Sequence, residues 1–359
     1  MLAALFMLVP VMVSLMQALS STANSSGSIT LVEWFRDNGL RGVVNQIESI
    51  YYSWQAPSTG GPGLHRLPNQ PGQSVAQRRS AAQTLATYYP SAIAPLIHPA
   101  LPGEGVWRST FKGTTGPSPV LLTSFRSDPN YPQMVAGVAW INQAATATML
   151  YPGALEPAVP MASRGPEEVP MSLRSRLVAT FNSGFKLSDS GGGFALNGHT
   201  YAPLTHGLPT VVRYRNGRVD VAPWSGGPSA GPDVVFARQN LPLIVNHGRP
   251  NPNLSDGPQW GATLGNAVRV WRSALGVDSH GNLLYGAADF QTVGSLAAIM
   301  IHAGAVRAME LDINAYWPSF ITYKAPGAVG AANLLPGMTR STQRYLTPDD
   351  RDFFAVYVR

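Results

Sequence analysis

The sequence predicts an α+β protein: a strand-rich mixed-sheet domain with few helices, preceded by an apolar N-terminal anchor and short helices. Glycine and proline supply 36 and 31 of the 359 residues, a density that suits many short strands joined by turns and excludes a coiled coil or a long helical bundle. From about residue 118, short β-branched and aromatic runs recur between Gly, Pro and Asn turn signals. Within that region one segment, 292–303, carries a helical period between strands. A hydrophobic content of 45 % excludes a wholly disordered chain.

Residues 1–27 read as a signal or membrane anchor with its linker. Leu2 to Leu19 is apolar apart from Pro10, Ser14 and Gln17 and carries no charge, at the lower limit for crossing a hydrocarbon core of about 30 Å. A signal peptide's basic n-region is missing, yet Ser21-Thr22-Ala23 resembles a cleavage site. Anchor and cleaved signal both stay open, and either makes the chain extracytoplasmic, membrane-anchored or secreted. Residues 28–117 read as N-terminal helices and a Pro/Gly-rich arm. Two short amphipathic helices are expected over 30–53, broken at Asn38-Gly39. Leu31, Trp34 and Phe35 form the apolar stripe of the first; Val43, Val44, Ile47 and Ile50 form that of the second. Such a pair lies on a membrane surface or caps the domain that follows. Residues 56–76 read as a linker, 75–88 as a helix stopped by Pro90, and 95–107 as an extended arm, because prolines at 95, 99 and 102 remove backbone donors.

Residues 118–359 form the main domain. Strands are expected at 120–125, 134–141, 147–151, 177–181, 210–214, 219–221, 243–245, 268–277, 283–287, 306–312 and 353–358. Arg215-Asn216-Gly217-Arg218 is a hairpin turn by its composition. The helix over 292–303 buries Leu296, Ile299, Met300 and Ala303.

Composition narrows the function. The formal charge is +6 and the pI about 9.6, but the basic residues are scattered without a run of five, so no nucleic-acid tail is present. A modest positive field favours anionic partners. With no cysteine, disulfides, thiolate metal sites and a cysteine nucleophile are excluded. No cofactor is expected: Gly191-Gly192-Gly193 can form an anion nest but lacks the strand–loop–helix setting and Lys-Ser/Thr ending of a P-loop.

The chemistry-bearing segment is Arg307-Ala-Met-Glu-Leu-Asp-Ile-Asn314. Strand alternation puts Glu310, Asp312 and Asn314 on one face, and buried carboxylates need cations, hydrogen bonds or a substrate. Arg272 sits inside an apolar strand, where its guanidinium must meet a carboxylate or an anionic ligand. Asn182, Gly184 and Lys186 follow a strand in a turn that can face a cleft. Tyr316 and Trp317 offer flat amphipathic faces to a sugar ring or to the core.

The order NSGFK at 182–186, RSALGVDSHGNLL at 272–284, Ala-Asp at 288–289, SLAAIMIHAGAVRA at 295–308 and MELDIN at 309–314 resembles the phosphodiester glycosidase family. The resemblance implies that Asn182 and Gly184 lie in the site, that Arg272 holds the phosphodiester, and that Asp289 and Asp312 are the acidic pair. Where the family has Leu-Asp-Gly-Gly-Gly-Ser, this chain has Leu311-Asp312-Ile313-Asn314-Ala315-Tyr316. Bulkier side chains thus fill a space that glycines leave open.

The expected activity is hydrolysis of a sugar phosphodiester on a cell-envelope glycan or glycoconjugate. Arg272, helped by Lys186, would bind the phosphate, while Asp312 would stabilise an oxocarbenium-like transition state or attack C1. Glu310, two strand residues away at about 6.5–7 Å, would complete a carboxylate pair, with Asn314 and Trp317 against the sugar. The alternative is a non-catalytic envelope protein that binds an anionic glycan in the same cleft. A metal-dependent hydrolase using Asp289, Asp312 and His302 is weaker, because His302 has no second histidine at ligand spacing. The expected partners are a phosphorylated sugar or anionic envelope glycan and the membrane through the N-terminal segment, with no nucleic acid.

Overall fold

The computed structural model describes residues 2–21, 25–74, 88–110, 118–255, 257–261, 269–324 and 327–359. The helix expected over 75–88 falls on residues outside this set, save for residue 88, and so does the first residue of the 268–277 strand. The described strands form three sheets, one of nine strands and two of five. Every described pairing is antiparallel, which corrects the expectation of a mixed sheet. One crossover in the large sheet shows how parallel neighbours are avoided. Strands Leu283–Gln291 and Ala305–Ile313 run the same way, but each pairs with Val270–Asp278 between them. The connecting helix steps over that middle strand, so no two parallel strands become hydrogen-bonded neighbours.

That helix, Val293–His302, starts with a capping box in which Ser295 N donates to Thr292 Oγ1 at 3.1 Å and Thr292 N donates to Ser295 Oγ at 2.9 Å. Its Leu296, Ile299 and Met300 pack on Trp140, Ala274 and Leu284 at one face of the large sheet. The opposite face carries Tyr285, Leu275, Met309 and Leu311 into the main core. There they meet Phe181, Phe354 and Val356 of the C-terminal sheet and Val211 and Phe236 of the other small sheet. The three-sheet sandwich therefore brings the ends of strands Leu177–Asn182, Ala305–Ile313 and Phe353–Val358 together at one edge.

Three helices precede the sandwich: α1 (Leu2–Ser21), α2 (Gly27–Phe35) and α3 (Arg41–Gln55). The break between α2 and α3 falls where expected, at Asn38 (φ −102°, ψ 34°) and Gly39 (φ +89°); the second value is one that glycine adopts without strain. Trp34 Nε1 donates to Ser14 Oγ at 3.1 Å, tying α1 to α2. Among the described residues no helix is long and apolar enough to cross a membrane. α2 and α3 sit on the domain: Arg41 pairs with Asp189 at 3.1 Å and Ser26 N donates to the Tyr316 hydroxyl at 2.7 Å. The apolar stripe of α3 points out, with Val43, Ile47 and Ile50 exposed and only Val44 half-buried.

Candidate active site

A cavity of about 180 Å³ lies between α2–α3 and the converging strand ends. Its floor is set by strand Leu177–Asn182, which runs into the turn Ser183-Gly184-Phe185-Lys186. A Cβ at 184 would stand 2.4 Å from Asn240 Nδ2, so a side chain there would have to displace the Asn240 amide that donates to Glu310 O. Asp312 N donates to Ser183 O at 3.1 Å, which joins the end of strand Ala305–Ile313 to this turn. The segment Asp349-Asp350-Arg351-Asp352 supplies the facing cation. Arg351 ion-pairs with Asp312 at 2.8 Å and donates to Gly184 O at 3.3 Å. Its backbone is anchored by Asp349 Oδ1, which accepts from Arg351 N at 3.0 Å, and Asp349 is in turn held by Arg344 at 2.8 Å and Arg340 at 3.2 Å. Trp317 completes the floor, with the Arg351 guanidinium 4.7 Å from its ring centre.

The roof is a chain of charges. Glu33 of α2 reaches down to Lys186 Nζ at 2.6 Å; Asp37 also meets that ammonium, at 3.1 Å. Arg36 bridges Glu33 and Glu48, the latter at 2.8 Å. Burial works against ionised Glu33, but Lys186 and Arg36 outweigh it and hold the carboxyl below its ordinary range. Asp312 behaves in the opposite way. Burial pushes its carboxyl up to about 7; Arg351 opposes the rise, while the nearby charges of Glu33 and Asp352 add to it.

Of the residues the sequence singled out, Asp312, Lys186, Asn314 and Trp317 line this cavity. Asn314 takes φ +81°, and its side chain accepts from Tyr316 N at 3.2 Å, so the turn after Asp312 is closed by a side chain. Arg272 does not reach the cavity. It is fully buried and bonded to Glu310 Oε1 at 2.5 Å and to the Gln291 carbonyl at 2.9 Å. Glu310 is equally buried, and burial raises its pKa against the pull of Arg272. The cause of the separation is a register irregularity: Ala274 pairs with Glu310 and Arg272 with Ile313, so two steps on one strand oppose three on the other. Such a bulge ends strict alternation. Glu310 turns to Arg272, Asp312 turns to Arg351, and the expected shared acidic face does not form.

Asn182 is a structural node beneath the floor. It donates to Ser183 O (2.9 Å) and Ser273 Oγ (3.0 Å) and accepts from Tyr285 OH (2.9 Å) and Ser319 N (3.0 Å). Every polar group of its side chain is thus occupied. Gly184 is buried and serves packing. Asp289 is half-buried outside the lining; burial pushes it up to about 6, against hydrogen bonds from Phe290 N and Trp271. The glycine run forms no anion nest. Gly191, Gly192 and Gly193 donate to Leu187 O, Ser190 Oγ and Gln239 Oε1 at 2.8, 3.4 and 2.9 Å. His302 bonds to the Ala94 carbonyl at 2.6 Å, and among the described residues no group of three His, Asp or Glu is placed to hold a metal.

Sequence reading missed Arg351 and the roof residues Glu33, Arg36 and Glu48. A signal for Arg351 existed: four consecutive charged residues at 349–352 in a chain only 12 % charged. The roof had none, because α2 and α3 could be read as amphipathic helices but not docked.

No protein-family model matches this chain, and no curated protein matches it. Similar solved structures include the catalytic domain of zebrafish N-acetylglucosamine-1-phosphodiester alpha-N-acetylglucosaminidase, auto-inhibited by its pro-peptide. It is 14 % identical, with 70 % of this chain and 88 % of that one covered at a TM-score of 0.45. A hypothetical protein from Synechocystis is 15 % identical over 67 % and 62 % of the two chains, with a TM-score of 0.36. A Burkholderia pseudomallei protein described as exported is 13 % identical over 65 % and 75 %, with a TM-score of 0.37. At these values the likeness is distant and assigns neither substrate nor mechanism to this chain.

Proposed function

We propose that the chain hydrolyses a sugar phosphodiester in the cavity beneath α2, with Asp312 as the acting carboxylate. The observation that carries the reading is Glu33. A carboxylate from the chain itself occupies the cavity against Lys186 at 2.6 Å, close enough to Asp312 to raise its pKa. A phosphodiester anion is the substrate group that takes the same place, and displacing Glu33 leaves the sugar over Trp317 with C1 toward Asp312. Water then forms a bond to C1 as the C1–O bond breaks; the electron pair leaves with the phosphate and the water's proton passes to Asp312. Phosphate is a good leaving group, so one carboxylate suffices where an ordinary glycoside needs two. Lys186 takes the anion-binding role, since Arg272 is committed to Glu310.

The test is release of free sugar from a UDP-sugar or a sugar phosphodiester by the full chain. Turnover is expected from wild type and its loss from Asp312→Asn; equal turnover by the two removes this mechanism. The apolar, charge-free Leu2–Leu19 sequence supports an extracytoplasmic location with attachment at the membrane.

A second reading, glycan binding without turnover, draws on Asn314 and Trp317, which crowd the cavity. Calorimetric binding of an anionic glycan, abolished by Trp317→Ala and without sugar release, would favour it.

A further inference from the structure

α3 is built inside out for a helix resting on a globular domain. Val43, Ile47, Ile50 and Trp54 are 56, 63, 61 and 87 % exposed, and their spacing makes one continuous stripe. The helix's charged residues, Arg41 and Glu48, both turn inward and line the cavity. Scattered exposed apolar residues need no explanation, but an uninterrupted apolar stripe does. The neighbouring helix shows the same pattern. α1 exposes Val9, Met12 and Met16 at 57, 55 and 68 %, and no charged residue occurs before Glu33. α1 contacts α2 and α2 contacts α3, so the two apolar surfaces belong to one helical layer.

We propose that the outward face of α3 lies in the plane of a lipid bilayer, its aliphatic stripe among the upper acyl chains and Trp54 at headgroup depth. Three observations favour lipid over a protein partner. The stripe shares a helical layer with charge-free α1, whose Val9, Met12 and Met16 are also exposed, it ends in the residue type most suited to the membrane–water boundary, and the chain's +6 charge favours anionic headgroups. The layer that roofs the cavity is then also the layer that touches the membrane, and the cavity opens beside the headgroups. This docking is independent of the chemistry in the cavity.

The chain has no cysteine, so single Ile47→Cys, Trp54→Cys and, as a remote exposed control, Ser229→Cys variants of the full chain each carry one fluorophore. They are mixed with phosphatidylglycerol/phosphatidylcholine vesicles containing a lipid-borne quencher. The expected result is several-fold stronger lipid quenching at 47 and 54 than at 229, with matching protection from aqueous iodide. Adding Ile47→Glu and Ile50→Glu to the Trp54→Cys variant should abolish that quenching while circular dichroism is unchanged. Three results overturn the proposal. The chain could fail to bind vesicles, or labels at 47 and 54 could stay as open to iodide as at 229. Labels could also be shielded by self-association without lipid quenching, which would make a second copy the occupant.

Discussion

Asp312 is pulled in two directions: Arg351 favours its charge, while burial and the charges of Glu33 and Asp352 oppose it, and the balance lies at about 7. Its folded-state value stands above the ordinary 3.8, so folding favours the protonated form. That contribution is complete below about pH 4 and is lost as pH rises through about 7. Between about pH 5 and about pH 8, wild type should therefore lose stability relative to Asp312→Asn by an amount on the order of a few kcal/mol. Denaturant titrations of both proteins at the two pH values measure it, and parallel pH profiles would refute it. Arg272 and Glu310 pose a different case. Removing one partner strands a charge in the core, so Glu310→Ala or Arg272→Ala should cost about 3–5 kcal/mol. The joint replacement Arg272→Met with Glu310→Leu should recover most of that loss. A double replacement as unstable as the singles would show that the carbonyl bonds of Arg272 matter more than the pair.

At the scale of elements, Glu33 ties α2 to the domain through Lys186. Glu33→Ala removes the nearer of the two carboxylates beside Lys186 and a neighbour that raises the Asp312 pKa. The variant should bind an anionic sugar phosphate more tightly than wild type, by on the order of tenfold, with a lower pH midpoint for activity. Titration calorimetry and a pH–rate profile read the two effects; unchanged affinity would mean that Glu33 does not stand in for a ligand anion. The bulge in strand Ala305–Ile313 shows how an element can override its own pattern. Alternation was legible up to Glu310, but the extra residue after it redirects Asp312. Nothing in the local sequence marks that bulge, because it arises from pairing with a strand whose own end is held by long-range contacts.

On the scale of the molecule, the sandwich and the helical layer differ in how they are held. The sheets share cores of fully buried aliphatic and aromatic side chains. α3 buries no residue and α2 only Thr30, and the two are attached through ion pairs with Lys186 and Asp189, the Ser26–Tyr316 hydrogen bond and half-buried Tyr52 against Phe185 and Ile313. The Arg41–Asp189 pair is partly exposed and contributes little, and the Glu33–Lys186 pair sets its attraction against the cost of burying both groups. Hydrogen exchange should therefore open residues 27–55 well before strands Val270–Asp278 and Ala305–Ile313. Equal protection in both regions would make the layer an integral part of the core rather than a movable cover.

The strands expected between 120 and 358, the hairpin turn at Arg215–Arg218, the helix Val293–His302 and the break at Asn38-Gly39 were written in local pattern, because periodicity, turn chemistry and capping act over a few residues; the short strands Phe194–Leu196, His199–Ala202 and Val234–Gln239, three of the five in one small sheet, were not. Lys186, Asp312, Asn314 and Trp317 were legible as polar or aromatic groups at strand ends for the same reason. Which cation meets which acid was decided only by the tertiary structure. Arg272 lies within an apolar strand and Arg351 in an acidic run just before one, yet neither setting names its partner, Glu310 for the first and Asp312 for the second. Ion-pair partners are chosen by the packing of segments far apart in the chain, and the sandwich edge and the helical roof exist only once those segments meet.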